Sequence, residues 1–173
     1  MREWAGAELI AVHVIDERLW QQLEKEFHFS LDSMITRAES RIRNEIIEQA
    51  HSPDHIKSAV TVGHPVTELL KACSNHKPDL LILGAQGAHY CEGAQLGNVS
   101  SRLLRQAPVD VLIVRKSQTR AFKKVVACVD LSDHSDSIVQ KAIEIAEEGE
   151  ARLDIVHVVP PFHEDTKPRN PLE

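Results

Sequence analysis

Short apolar runs alternate along the chain with longer segments in which apolar residues recur every three or four positions. The short runs are typical of strands buried in a sheet, and the longer periodicity is typical of amphipathic helices. We predict a strand at each short run: Ala7–Ile15, Ile56–Gly63, Leu80–Leu83, Val109–Val114, Lys124–Asp130 and Ala151–Val159. Strands alternating with helices predict βαβ units, whose crossovers are right-handed in a parallel sheet.

The helical periodicity is longest between Glu17 and Gln49. A single helix of that length would span about 50 Å, more than twice the length of a typical strand. We therefore predict a break near His28–Ser30, with Ser30 as the N-cap of a second helix. Further helices are predicted at Val66–Asn75, from Val99 to Ala107, and from Ser132 to Gly149.

A glycine-rich segment separates the strand and the helix of the βαβ unit at residues 79–115. Because glycine has no Cβ, the backbone at Gly84, Gly87 and Gly97 can turn with positive φ and approach a ligand closely. Gly97 and Asn98 fall at the start of the helix, where unpaired N–H groups and the positive end of the dipole attract phosphate. The residues alone leave two interpretations open: an anion site, or an ordinary loop in which Asn98 is only an N-cap.

Composition narrows the class of protein. With 173 residues, 42% of them hydrophobic and 27% charged, the chain is an ordinary globule of one domain or slightly more. A net charge of −6 argues against binding to nucleic acid, and no apolar run approaches the roughly 20 residues of a membrane span. Three scattered cysteines favour a reducing compartment over a disulfide framework.

The spacing Gly84-x2-Gly87-x9-Gly97, followed by Asn98, resembles the universal stress protein family. The ATP-binding branch of that family has G-x2-G-x9-G followed by Ser or Thr. The likeness extends to HVID at residues 13–16 and to VVACVDLSDHS further on, and covers nearly the whole chain. It implies a doubly wound open parallel sheet, Rossmann-like and adenine nucleotide alpha hydrolase-like, with strand order 3-2-1-4-5. It also implies a cytoplasmic stress-response regulator or sensor.

The resemblance implies a binding site for ATP, with Mg²⁺ bound alongside the nucleotide. The residues that it assigns to this site are Val14, Gly84, Gly87, Gly97, Asn98, Val99, Val129 and Asp130. The loop glycines would bring the backbone to the ribose and phosphates, and the amides at the helix start would reach the β- and γ-phosphates. Val14 would line the adenine pocket and Asp130, with Val129 beside it, the adenine–ribose end. The alternative for Asp130 is an Asx-type turn residue that joins strand to helix.

The pattern of the first strand recurs near the end of the chain. Ala7–Asp16 (AELIAVHVID) aligns with Ala151–Pro160 (ARLDIVHVVP), which makes an internal repeat. The chain therefore resembles strands two to five of one family domain (residues 1–118), followed by the strand-helix-strand start of a second copy (residues 119–160) and a loose tail (residues 161–173). Tandem members of the family carry two such copies.

Strand one of the family domain has no counterpart ahead of strands two to five in this sequence, and it is the central strand in the family order. Its absence would leave unpaired N–H and C=O groups on two neighbouring strands, at about 1–3 kcal/mol each. We hypothesise that Lys124–Asp130 fills this position, either from the same chain or swapped from a partner in a homodimer or pseudo-dimer. The alternative is that the missing segments belong to the natural protein but not to this sequence.

Two functions of different class remain open. The first is a nucleotide-binding stress regulator with at most weak ATP hydrolysis, since no general base is evident and no enzymatic role is predicted. The second is a protein-interaction module of the same fold that binds no nucleotide, in which the glycines only shape the loop and dimerisation is the function.

Overall fold

Strands and helices alternate through residues 7–49, 56–87, 96–115 and 122–159, the part of the chain that the computed structural model describes. In chain order the elements are β1 (Leu9–Asp16), α1 (Glu17–Phe27), α2 (Leu31–Gln49), β2 (Ile56–Gly63), α3 (Pro65–His76), β3 (Leu80–Gly84), α4 (Asn98–Gln106), β4 (Asp110–Val114), β5 (Lys124–Val129), α5 (Ser135–Glu148) and β6 (Arg152–His157). The chain divides into two compact units, Glu3–Gln118 and Thr119–Glu173. The predicted tail, residues 161–173, lies outside the described residues.

The strands pair in parallel, as βαβ units require. The pairs begin with Leu9 opposite Ile56 in β1–β2, Leu80 opposite Asp110 in β3–β4, and Lys124 opposite Arg152 in β5–β6. Each pair is a separate two-stranded sheet within the described residues. The strand order 3-2-1-4-5 therefore stays a prediction. Likewise, β5 pairs with β6, and its use as a central strand stays a hypothesis.

The predicted break in the long helical segment is confirmed. α1 ends at Phe27 because His28 adopts a left-handed conformation with φ of 56°, which the helix cannot continue through. α2 begins at Leu31, and the Ser30 hydroxyl oxygen accepts a hydrogen bond from the N–H of Ser33 at 3.2 Å. Ser30 therefore caps the second helix as its side-chain chemistry predicts.

The core of the first unit forms around α3 and α4. α3 packs against β1 and β2 and also contacts α4. Leu103 of α4 is completely buried, and Val66 and Cys73 of α3 are buried as well. Of the apolar residues that the periodicity places on these faces, Cys73 and Leu103 are buried, whereas Leu69, Leu70, Val99 and Ala107 are half-buried. None of the helices within the described ranges is both long enough and apolar enough to cross a bilayer.

The second unit consists of β5, α5 and β6, with α5 packed on both strands. Ala142 and Ala146 are buried as the helical pattern predicts. Ile138 and Ile145, which the pattern assigns to the same face, remain 41% and 39% exposed. The apolar face of α5 is therefore wider than the two strands beneath it.

The start of α5 differs from the prediction. The helix begins at Ser135 and not near Ser132. The Asp130 carboxylate accepts a hydrogen bond from the Ser132 N–H at 3.0 Å, and Leu131 takes a positive φ of 62°. This side-chain bond holds the backbone in a turn and delays the helix, because Asp competes with helical bonding in the way typical of Asx turns.

Candidate functional site

The glycine-rich segment leaves the end of β3 and is fixed to two other elements at once. The N–H of Ala85 donates to the carbonyl oxygen of Val114 on β4 at 2.8 Å, which extends the β3–β4 pairing by one bond. The carbonyl oxygen of Ala85 accepts from the N–H of Gly97 at 2.8 Å, and Ala85 is only 3% exposed. The first residue of the loop is therefore held directly against the start of α4.

The N-terminus of α4 has no side-chain cap. Gly97 is the N-cap residue, with φ of −67° and ψ of 157°, and Asn98 is the first helical residue, so the interpretation of Asn98 as N-cap is wrong. The first intrahelical bond runs from the N–H of Ser101 to the carbonyl oxygen of Gly97 at 2.9 Å. The N–H groups of Asn98 and Val99 precede that bond and form no hydrogen bond within the described part of the chain. They carry the positive end of the helix dipole.

Ser100 joins this helix start to the preceding strand. Its hydroxyl donates a hydrogen bond to the carbonyl oxygen of Gly84 at 2.7 Å, and the residue is 7% exposed. Ser100 is not among the site residues predicted from the sequence. The only local signal is a serine in the first turn of a helix whose N-cap is a glycine and so provides no side-chain oxygen.

The loop glycines do not adopt the conformations predicted for them. Among the described glycines only Gly63, at the end of β2, has a positive φ, which is 152°. A Cβ at Gly84 would approach nothing closer than 3.5 Å, one at Gly97 nothing closer than 3.6 Å, and one at Gly87 would meet nothing within 4 Å. The fold of the described residues thus has room for a side chain at each of these three glycines.

Asp130 lies in the second unit, at the turn between β5 and α5. Hydrogen bonds from Ser132 and then from Ser135, whose hydroxyl lies 3.3 Å from the carboxylate, lower the pKa of Asp130 to about 2. Asp130 is an Asx-turn residue, as the alternative interpretation predicts, and its carboxylate is ionised at neutral pH. It borders an open cavity of about 330 Å³ that Val129 also lines.

The structure brings five of the eight predicted site residues together. Gly84, Gly87, Gly97, Asn98 and Val99 lie at one junction of loop and helix in the first unit.

The remaining predicted site residues lie elsewhere. Val129 and Asp130 are consecutive in the second unit, and Val14 is half-buried on β1, opposite Thr61 of β2. Participation of these three in a common site with the glycine loop stays a prediction. Residues 88–95, which complete the loop and include Gly93, lie outside the described residues.

The family model of the universal stress proteins matches residues 1–115 and 121–170. The chain belongs to the universal stress protein family. Its sequence is 24% identical over 131 residues to the universal stress protein MJ0577 of Methanocaldococcus jannaschii, an alignment that covers 65% of this chain and 79% of that protein. It is 36% identical over 75 residues to the universal stress protein Rv1636 of Mycobacterium tuberculosis, which covers 42% of this chain and 51% of the mycobacterial one.

Solved universal stress proteins share the fold. The structure of MJ0577 superimposes with a TM-score of 0.56 at 25% sequence identity, over 68% of this chain and 82% of the other. A universal stress protein from Archaeoglobus fulgidus superimposes with a TM-score of 0.60 at 24% identity, over 92% of this chain and 58% of the other. The α/β, Rossmann-like fold class predicted from the sequence is thereby confirmed.

Proposed function

We propose that this universal stress protein binds ATP, together with Mg²⁺, where the Gly84–Gly87 loop meets the N-terminus of α4, and that it acts as a nucleotide-dependent regulator of a stress response. The observation that carries the proposal is that nothing in the described part of the chain requires glycine at Gly84, Gly87 or Gly97. None of the three has a positive φ, and none is crowded by other described residues. A glycine that the fold does not require is expected where a ligand approaches the backbone closely.

The polar groups at this junction suit a phosphate chain. The N–H groups of Asn98 and Val99 are unpaired within the described residues, and the dipole of α4 adds positive potential at the same point. The bonds from Gly97 to Ala85 and from Ser100 to Gly84 hold the loop against the helix before any ligand arrives. Such preorganisation lowers the entropic cost of binding.

Mg²⁺ would neutralise part of the phosphate charge when it is bound with the nucleotide. This chain provides backbone amides and the Asn98 side chain for the phosphates. No group of the described loop–helix junction is placed as a general base. The proposed role is therefore binding and regulation, with ATP hydrolysis slow at most.

Thermal unfolding with and without nucleotide tests the proposal. We expect Mg-ATP to raise the unfolding temperature well above the value with Mg-GTP, since a ligand at about 100 times its Kd stabilises the native state by about 2.7 kcal/mol. Gly97→Ala should unfold at the native temperature without nucleotide and lose most of the ATP-dependent shift. Ser101→Ala, one turn into the same helix, serves as the control and should keep the shift.

Two outcomes would contradict ATP binding at this junction. One is the absence of any shift at millimolar Mg-ATP, and the other is an unaltered shift in Gly97→Ala. Either would favour the interaction module that binds no nucleotide.

Asp130→Asn is a separate test of the second unit, because asparagine keeps an oxygen for the Asx turn. A reduced ATP-dependent shift in this variant would indicate that Asp130 belongs to the ATP site.

A further inference from the structure

Two arginines on α4 have no ion-pair partner within the described residues. Arg102 and Arg105 are both exposed, and neither forms a salt bridge or a side-chain hydrogen bond there. The first turn of α4 contains no acidic residue, and the described stretches of the glycine loop, residues 84–87 and 96–97, carry no charged side chain. Both guanidinium groups are therefore available to an anion.

The packing of α4 keeps these arginines on the outer face of the helix. Leu103 is completely buried, and Ser100 is held inward by its hydrogen bond to Gly84 at 2.7 Å. These two contacts fix the rotation of the helix about its axis. Asn98 and Arg102, four residues apart, therefore share a face that is exposed.

Arg102 is one helical turn from the unpaired amides of Asn98 and Val99. Residues four apart on a helix are neighbours, with Cβ atoms about 5–6 Å apart. Each Cα–Cβ bond is tilted towards the helix N-terminus, so that a long side chain covers the turn that precedes it. A side chain as long as arginine can therefore bring its guanidinium to the level of these amides.

Arg105 carries the same charge on the same face but lies one turn further away. It follows Asn98 by seven residues, about 10 Å along the helix axis at about 1.5 Å per residue. Its charge adds to the positive potential of the region, but a ligand held at the first amides of α4 is beyond the reach of its side chain. The chain thus contains an internal comparison for Arg102.

We infer that Arg102 binds the terminal phosphate of the nucleotide and makes the site selective for nucleoside triphosphates over diphosphates. This role rests on the proposed binding of ATP at the start of α4. There the loop backbone meets the ribose side of the nucleotide and the helix start meets the β- and γ-phosphates, so the phosphate nearest to Arg102 is the terminal one. A guanidinium binds phosphate through two parallel hydrogen bonds, which a backbone amide cannot do.

Selectivity for the triphosphate would give the proposed regulator a signal to report. ADP lacks the phosphate that Arg102 binds and so forms fewer charge-assisted hydrogen bonds. Since specificity is a difference between two affinities, occupancy by ATP would then follow the ratio of ATP to ADP.

Isothermal titration of the full chain with Mg-ATP and with Mg-ADP tests the role of Arg102. We expect the native protein to bind Mg-ATP about tenfold or more tightly than Mg-ADP. Arg102→Gln should weaken the binding of Mg-ATP by about tenfold and that of Mg-ADP by about twofold or less, so that most of the selectivity disappears. Arg102→Lys keeps the charge without the planar fork and should retain only part of the selectivity.

Arg105→Gln is the matched control. It removes the same charge from the same face, so it should weaken both nucleotides slightly and alike, and the ratio of their affinities should stay near the native value. Both glutamine variants should unfold at the native temperature without nucleotide, because both arginines are exposed and unpaired within the described ranges.

Three results would overturn the role of Arg102 and leave ATP binding intact. The first is a native protein that binds Mg-ATP and Mg-ADP equally well. The second is an unchanged ratio of affinities in Arg102→Gln, and the third is an equal loss of selectivity in Arg102→Gln and Arg105→Gln. A native protein that does not bind Mg-ATP would overturn the proposed function, and the role of Arg102 with it.

Discussion

The hydroxyl of Ser100 donates a hydrogen bond to the carbonyl oxygen of Gly84 across 2.7 Å, and so connects the first turn of α4 to the last residue of β3. The two residues are 16 positions apart in the chain. Together with the bond from Gly97 to Ala85, this contact sets the position of the helix N-terminus relative to the glycine loop. The proposed nucleotide site would combine these two hydrogen bonds with the amides of Asn98 and Val99, which have no partner within the described ranges.

Ser100→Ala tests the importance of that contact. We expect a loss of about 1 kcal/mol in the free energy of unfolding, because a nearly buried hydrogen bond disappears without a replacement partner. The measurement is urea denaturation followed by circular dichroism. Ser101→Ala is the control, since the Ser101 side chain has no hydrogen-bond partner in the described part of the chain, and its stability should stay near that of the native protein. Equal losses of stability in Ser100→Ala and Ser101→Ala would show that the hydrogen bond to Gly84 is not the cause of the destabilisation.

Gly63→Ala should lower the free energy of unfolding more than an alanine at Gly84, Gly87 or Gly97 does. Gly63 has a φ of 152°, and a Cβ there would lie 2.9 Å from the Cγ atom of Glu68. We expect destabilisation of about 1–3 kcal/mol from the combination of backbone strain and steric conflict. Gly87→Ala is the control, because a Cβ at Gly87 meets nothing within 4 Å.

The double variant Gly63→Ala/Glu68→Ala, compared with Glu68→Ala alone, separates the two causes. Removal of the Glu68 side chain should relieve the steric conflict but not the backbone strain, so that only part of the stability returns. Complete recovery would show that φ at Gly63 carries no strain.

Asp130 should make the stability of the protein sensitive to acid. Its pKa is lowered from 3.8 to about 2 in the folded state, so the unfolded state binds more protons between these values. Its contribution is present above the unfolded pKa and is lost as the pH falls towards 2.

Asp130→Asn isolates this contribution. We expect the stability difference between the native protein and the variant to be larger at about pH 5 than at about pH 2.5. Glu8 and Asp154 also have lowered pKa values, through Lys57 and through Lys124 and Arg152 respectively, but they titrate alike in both proteins and cancel in the comparison. A stability difference between the two proteins that does not change with pH would contradict the lowered pKa of Asp130 as the source of the acid sensitivity.

Local patterns predicted most of the elements. β2 has the predicted bounds, Ile56–Gly63, because alternation of side chains and the following turn are both encoded within a few residues. The break at His28 and the cap at Ser30 were predictable for the same reason. The start of α5 was not predictable, because the Asp130 carboxylate competes with the helix for the Ser132 N–H. The residue types alone do not show which of the two hydrogen bonds forms.

The sequence by itself determined the strands and helices, the family and the identity of the glycines in the loop, since these depend on periodicity and spacing along the chain. Tertiary structure decided that the Ser100 hydroxyl bonds to Gly84 and that the Gly97 N–H bonds to Ala85. It also decided that the N–H groups of Asn98 and Val99 have no partner among the described residues. The reason is that hydrogen bonds between residues distant in sequence depend on where the folded strands and helices place donors and acceptors. The same residues, read along the chain, give no indication of which amides remain available to a ligand.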